Sequence, residues 1–248
     1  MTPRLAEDLA GQLRQHLTLA RTLPVDVEGL ARQLGVTQIL RVSRLVEDGR
    51  LEQTNGHTRV LLASEASIER QRYTLAHEIG HLLLTDPERD TIARRMESDD
   101  EIERFCDAFA ASLLLPRELV HSEYRSRKRK LNTVRHLGHR TGTSLAAATV
   151  RLNEVAHWRR ALLHWKRAEQ GWRYRWGAAI PVTLHQRLRS APNTSATLDR
   201  LRSRGGNDQR TLISLRVGRT TMELPCEVSV RGRSAVALVE FGKHVPRH

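Results

Sequence analysis

The chain has 248 residues, 39% apolar and only 4% aromatic, enough for two or three small domains with real cores. No run of 18 or more apolar residues occurs, which argues against a membrane-spanning helix, and two cysteines, Cys106 and Cys226, build no disulfide framework. The net charge of +13 is split: residues 1–118 sum to −5 and residues 119–248 to +18, so the second half invites a polyanion such as nucleic acid.

The first ten residues include Glu7 and Asp8 and no apolar secretory core. With so few cysteines, a reducing cytoplasm is the expected compartment. Leu5, Leu9, Leu13 and Leu17, four apart, predict an amphipathic helix over residues 4–20. Residues 25–35 read as a short helix, with Asp26 as N-cap and Gly35 as C-cap. Alternating runs at 38–46 and 59–63, with Asp48-Gly49 and Asn55-Gly56 as turns, predict an antiparallel meander. Residues 68–84 form an apolar-striped helix, 86–99 a charged connection, and 101–115 a second strong helix stopped by Pro116.

The basic run Arg125-Ser126-Arg127-Lys128-Arg129-Lys130 marks a boundary. Two helices around a turn at 138–142 follow, the outline of a helix-turn-helix. Residues 157–169 read as a helix, followed by strand-like segments at 172–176, 212–217, 220–224, 227–230 and 235–241, with a polar flexible loop between 190 and 207. The expected fold is α+β in three parts. These are an acidic domain at 1–118 with a small antiparallel sheet, a helix-turn-helix-like segment at 119–156, and a basic α+β module at 157–248.

The chemistry sits in His77-Glu78-Ile79-Gly80-His81. Helical residues four apart share a face, so His77 and His81 can each offer a ring nitrogen to one Zn2+ ion. Glu78 is rotated about 100° from His77, away from the ligand position and toward a metal-bound water, where a general base belongs. Gly80 removes bulk where a neighbouring helix can approach. A catalytic zinc site needs a third protein ligand, and the next helix supplies Glu103, with Asp107 one turn on to accept the second N–H of a zinc histidine. Cys106 lies between them, a thiol that could reversibly block the open metal position or simply be a small buried residue. Tyr73 and His57 are both candidate donors to an oxyanion. Residues 58–62 are the candidate edge strand for an extended substrate.

All four tryptophans fall within 158–176. Trp158 and Trp165 are seven apart, as on one helical face. In an extended strand Trp172, Tyr174 and Trp176 alternate with Arg173 and Arg175, placing aromatics on one side and guanidiniums on the other. Rings beside positive charge suit single-stranded nucleic acid; the competing reading makes these rings the core of a small domain. The candidate nucleic-acid contacts are Arg127, Lys128, Arg129, Lys130, Trp172, Arg173, Arg175 and Trp176.

The stretches Arg72-Tyr73-Thr74-Leu75-Ala76-His77-Glu78-Ile79-Gly80-His81 and Glu103-Arg104-Phe105-Cys106-Asp107-Ala108-Phe109-Ala110-Ala111-Ser112-Leu113-Leu114-Leu115-Pro116, with the lead-in Pro24-Val25-Asp26-Val27-Glu28-Gly29-Leu30-Ala31, resemble the ImmA/IrrE family of zinc metallopeptidases. The resemblance runs over about residues 20–155. It implies a cytoplasmic protease with His77, His81 and Glu103 as zinc ligands and Glu78 as the base. It also implies a substrate, a helix-turn-helix repressor whose cleavage switches on a stress, mobile-element or defence programme. The chain departs from the family in carrying Cys106-Asp107 where alanine and asparagine are common. Residues 157–248 lie outside the shared part, where a sensor is an analogy only. The rival expectation is a DNA-binding regulator or anti-repressor with a non-catalytic zinc site, in which Glu78 has no task.

Overall fold

The computed structural model describes residues 2–17, 22–85, 96–126, 130–180, 188–190, 193–205, 208–217 and 219–240. Arg127, Lys128 and Arg129, and most of the connection at 86–99, lie outside them. The chain divides into two compact units, residues 1–119 with 137–144, and residues 120–136 with 145–248. Among the described residues no helix is long and apolar enough to cross a membrane.

The first unit begins with helix α1 (Thr2–His16) and helix α2 (Val27–Gln33). Ala6, Leu9, Ala10 and Leu13 bury one face of α1. The Asp26 side chain caps α2 by accepting from Gly29 N at 3.0 Å. Leu34 is the C-cap and Gly35 follows at φ +95°, the left-handed position that ends many helices. Strands β1 (Val36–Val42), β2 (Gly49–Thr54) and β3 (His57–Ala63) follow. Asn55 and Gly56 both have positive φ, the geometry of a tight two-residue hairpin.

The sheet is mixed, in the order β1-β3-β2, with β1 parallel and β2 antiparallel to β3. This corrects the antiparallel meander. It also corrects the edge strand, because residues 58–62 are central and β2 is an edge. The reason is apolarity: β3 buries Val60, Leu62 and Ala63, whereas β2 buries no residue fully. The strand that can be covered on both sides takes the middle.

Helix α3 (Ile68–Leu84), N-capped by Ser67, packs on this sheet and on helix α4 (Asp99–Leu114). Phe105, Phe109, Leu113, Leu75 and Ile79 close the core between them. Arg72 fixes α3 from its other side, donating to Val25 O at 2.8 Å and Gly142 O at 3.2 Å.

Helix α5 (Arg117–Ser126) is followed by α6 (Leu131–Thr141) and α7 (Leu145–Ala156), with Gly142 at positive φ between α6 and α7. The second unit is built on a six-stranded antiparallel sheet of order β5-β4-β9-β8-β7-β6. Its strands are β4 (Arg160–Ala168), β5 (Gly171–Ala178), β6 (Leu188–Ser190), β7 (Gln209–Val217), β8 (Thr220–Arg231) and β9 (Ser234–Glu240).

Two expectations fail here. Residues 157–169 hold strand β4 rather than a helix. Residues 161–165 are all buried, so the strand reads as a continuous apolar run that periodicity cannot tell from a buried helix. The expected flexible loop at 190–207 contains helix α8 (Asn193–Ser203), which buries Thr194, Leu198 and Leu201. Three buried positions spaced four and three apart suffice for a helix face within a polar sequence.

Replacing Arg72 by Met leaves the Val25 and Gly142 carbonyls without that donor. We expect a loss of about 2 kcal/mol of stability in urea unfolding.

Candidate metal centre

Helix α3 brings His77, Glu78 and His81 to one end of a cleft of about 880 Å3, lined also by Leu51, Arg70, Tyr73, Ile102, Glu103 and Asp107. Gly80 faces α4. A Cβ there would lie 3.1 Å from both Cα and Sγ of Cys106, so the missing side chain permits near-backbone contact between the helices. Three consecutive acids, Asp99, Asp100 and Glu101, occupy the first turn of α4, where negative charge favours a helix start.

The result is a convergence of donors. His77 Nε2 and His81 Nε2 are 3.1 Å apart. Glu103 spans them, with Oε2 3.2 Å from His77 Nε2 and Oε1 3.3 Å from His81 Nε2. Behind His77, Asp107 Oδ1 sits 3.0 Å from Nδ1. A hydrogen on Nδ1 shared with that carboxylate leaves Nε2 with its lone pair toward the convergence.

Donor atoms 2.0–2.2 Å from a tetrahedral ion sit roughly 3.3–3.6 Å from one another. The observed separations fall within a few tenths of an ångström of that edge, so these side chains fit a small divalent metal. Cys106 Sγ also lies within 4.8 Å of the two imidazoles' ligand atoms. It is fully buried and absent from the side chains lining the cleft. Burial pushes its thiol strongly up, and the charges of Glu103, Glu78 and Asp107 push the same way. It packs beside Gly80, and its sulfur is within reach of the same two imidazoles, so His77, His81 and Cys106 form a second candidate ligand set.

The electrostatics separate the two histidines. Burial opposes charge on His77, but the Asp107 hydrogen bond and the nearby carboxylates outweigh it and leave its pKa raised. His81 lacks that partner, and burial, then His77, lowers it. Glu78 is only 6% exposed. Burial raises its pKa, partly offset by His77 and by the Leu51 main-chain N–H directed at its carboxylate. It is a carboxylate that holds a proton more readily than usual.

Of the two oxyanion candidates, Tyr73 lines the cleft, and its hydroxyl donates to Asp107 O at 3.0 Å. His57 lies instead at a separate polar groove with Thr37, Glu52 and Arg59. Sequence reasoning missed the contribution of β2. The Ala63 N–H donates to Asp48 O, and the alternation of an antiparallel ladder then directs the main-chain groups of Gly49, Leu51 and Gln53 to the open edge.

The expected nucleic-acid residues separate. Trp172 is 4% exposed, its indole N–H donating to Asp199 at 3.0 Å, and with Trp165 it forms the second unit's core. It offers no face for stacking. Trp165 pairs with Tyr174 but His164 with Trp176, so Arg175 is an extra, bulged residue. Trp176 thereby turns to the opposite face from Trp172, 40% exposed, its ring 4.9 Å from that of His164. Arg173, Arg175 and Lys130 are exposed. Helix α7 presents no exposed cation: its one arginine, Arg151, is buried and bonded to Glu154 at 3.3 Å. The exposed charged side chain of α7 is an acid, Glu154.

A histidine pair one helical turn apart, a glutamate between the histidines and a carboxylate from the next helix define a metallopeptidase-type centre. Residues 31–153 match the family model of the IrrE N-terminal-like domain, Peptidase_M78, and this segment belongs to the ImmA/IrrE family. The radiation response metalloprotease IrrE of Deinococcus deserti is 42% identical over 69 residues, 26% of this chain and 25% of that protein. Its counterpart from Deinococcus radiodurans is 39% identical over 71 residues, 26% of this chain and 21% of that protein. The chain thus matches about a quarter or less of the length of these curated relatives. A solved Mycobacterium tuberculosis transcriptional regulator is similar in fold, with a TM-score of 0.52 at 12% identity, covering 96% of this chain and 76% of that one.

Asp107→Ala should weaken metal affinity by about 10–100-fold, measured by chelator competition, because it removes the group that orients His77.

Proposed function

We propose that the protein is a cytoplasmic zinc-dependent endopeptidase that cleaves a helix-turn-helix transcriptional repressor and so derepresses a stress, mobile-element or defence operon. The observation that carries this reading is the meeting of His77, His81 and Glu103 at 3.1–3.3 Å beside the buried acid Glu78. A metal held only for structure has no use for that acid. Zinc, when bound, supplies a Lewis acid and an acidified water. His77, His81 and Glu103 would hold it, and Asp107 keeps the His77 ring turned inward. Glu78, buried beside the histidines, takes a proton from the attacking water and returns it to the leaving amine. The open edge of β2 binds the substrate backbone as an added strand through the main-chain groups of Gly49 and Gln53 and the Leu51 carbonyl, the Leu51 N–H being directed at Glu78. The repressor as substrate rests on family membership, and the stress programme is supported by the radiation-response role in the names of the Deinococcus relatives.

Glu78→Gln should retain zinc and lose cleavage by about 100-fold or more, as expected for loss of a general base. The assay incubates the zinc-loaded protein with the repressor encoded beside its gene and follows the products by mass spectrometry. Zinc-loaded wild type that leaves this repressor intact, or a Glu78→Gln variant as active as wild type, rejects the mechanism.

Nucleic acid bound to the basic half regulates the enzyme in this reading. The +18 charge over 119–248 and the exposed Trp176, Arg173 and Arg175 support it. Binding of a single-stranded oligonucleotide should fall steeply as salt rises, and Trp176→Ala should weaken it by roughly 1–3 kcal/mol if a base stacks there. Fluorescence anisotropy across a salt series measures both, and absence of binding at low salt ends this part of the proposal.

A further inference from the structure

Gly49 opens strand β2 where the strand runs against α3. Its φ lies outside the left-handed region, so its backbone does not require glycine. Space does. A Cβ built at Gly49 would lie 2.3 Å from Thr74 Cγ2, 3.2 Å from Leu61 O and 3.3 Å from Glu78 Oε1. Ordinary van der Waals contact begins near 3.4 Å. A methyl group at this position therefore demands about 1 Å of movement at the wall of the cleft, which Gly49 and Thr74 both line.

The neighbours leave little choice of direction. Leu61 O belongs to the central strand. Thr74 is buried on α3, one helical turn before Glu78. What can yield is the Thr74 side chain, which as a β-branched residue has few rotamers to turn to, or the spacing between β2 and α3, the same spacing that sets Leu51 N–H against the Glu78 carboxylate.

We infer that Gly49 is a positioning residue. Its missing side chain, size-matched to the Thr74 methyl, fixes the distance between the open edge of β2 and the Glu78 carboxylate. This rests on the peptidase reading above and deepens it: substrate strand and base are held in one register by a contact that neither makes directly.

The test compares Gly49→Ala, Thr74→Ser and the double variant as zinc-loaded, full-length protein. The substrate is a quenched-fluorescent peptide selected from a library by wild-type cleavage. Gly49→Ala should lower kcat by about 100-fold, the scale of a 1 Å misplacement, with zinc content unchanged and KM changed far less than kcat. Adding Thr74→Ser should restore most of kcat, because the methyl is then moved across the contact rather than added. A Gly49→Ala kcat equal to wild type, or a double variant as slow as Gly49→Ala, overturns the inference. If the wild type cleaves no peptide, the peptidase reading fails and the size match is read from Tm alone. Gly49→Ala should then lower Tm and Thr74→Ser should recover it; no loss, or no recovery, overturns it.

Discussion

Everything at the metal centre depends on how closely α3 and α4 approach at Gly80. With no side chain there, the backbone of Cys106 comes into contact range, and Glu103 and Asp107, flanking Cys106, reach the histidines. Their lengths then sort their tasks. The shorter aspartate meets the near nitrogen of His77, and the longer glutamate spans the two far nitrogens. Widening the helix pair would lose both contacts together, since they hang from the same helix. The fold invests a large apolar contact, Phe105 and Phe109 on one helix against Leu75 and Ile79 on the other, in holding that separation.

Much of this centre was legible in the sequence because it is local. The pairs at 77/81 and 103/107 obey the helical repeat, and each needs only its own helix to form. The strands were harder for a physical reason. A strand's neighbours are chosen by the whole sheet, and neither the central place of β3 nor the open edge of β2 is written in either segment alone. The role of Gly49 was hidden in the same way: as a turn signal beside Asp48 it explains itself, whereas its contact with Thr74 spans 25 positions. In the second unit, β4 is buried on both faces, so alternation vanished, and the seven-residue spacing of Trp158 and Trp165 imitated a helix.

The aromatic cluster shows what one inserted residue can do. Alternation alone would put Trp172, Tyr174 and Trp176 on one face. The bulge at Arg175 divides them, with Trp172 committed to the core and Trp176 delivered to the outside. Scarce aromatics are thereby shared between stability and surface chemistry within a single strand.

The open edge of β2 has a further consequence for how the molecule lives among its own copies. An unpaired strand invites any extended backbone, including that of an identical chain, and such pairing is the first step toward fibrils. Here the edge is short and carries charge: Arg50 pairs with Glu47, and Glu52 accepts from Arg59 at 2.6 Å. Two copies meeting edge to edge would bring these ionic groups together and strip their water, while a flexible polypeptide can thread past them. Ionic groups bordering an accessible strand are one way in which such an edge raises the cost of self-recognition.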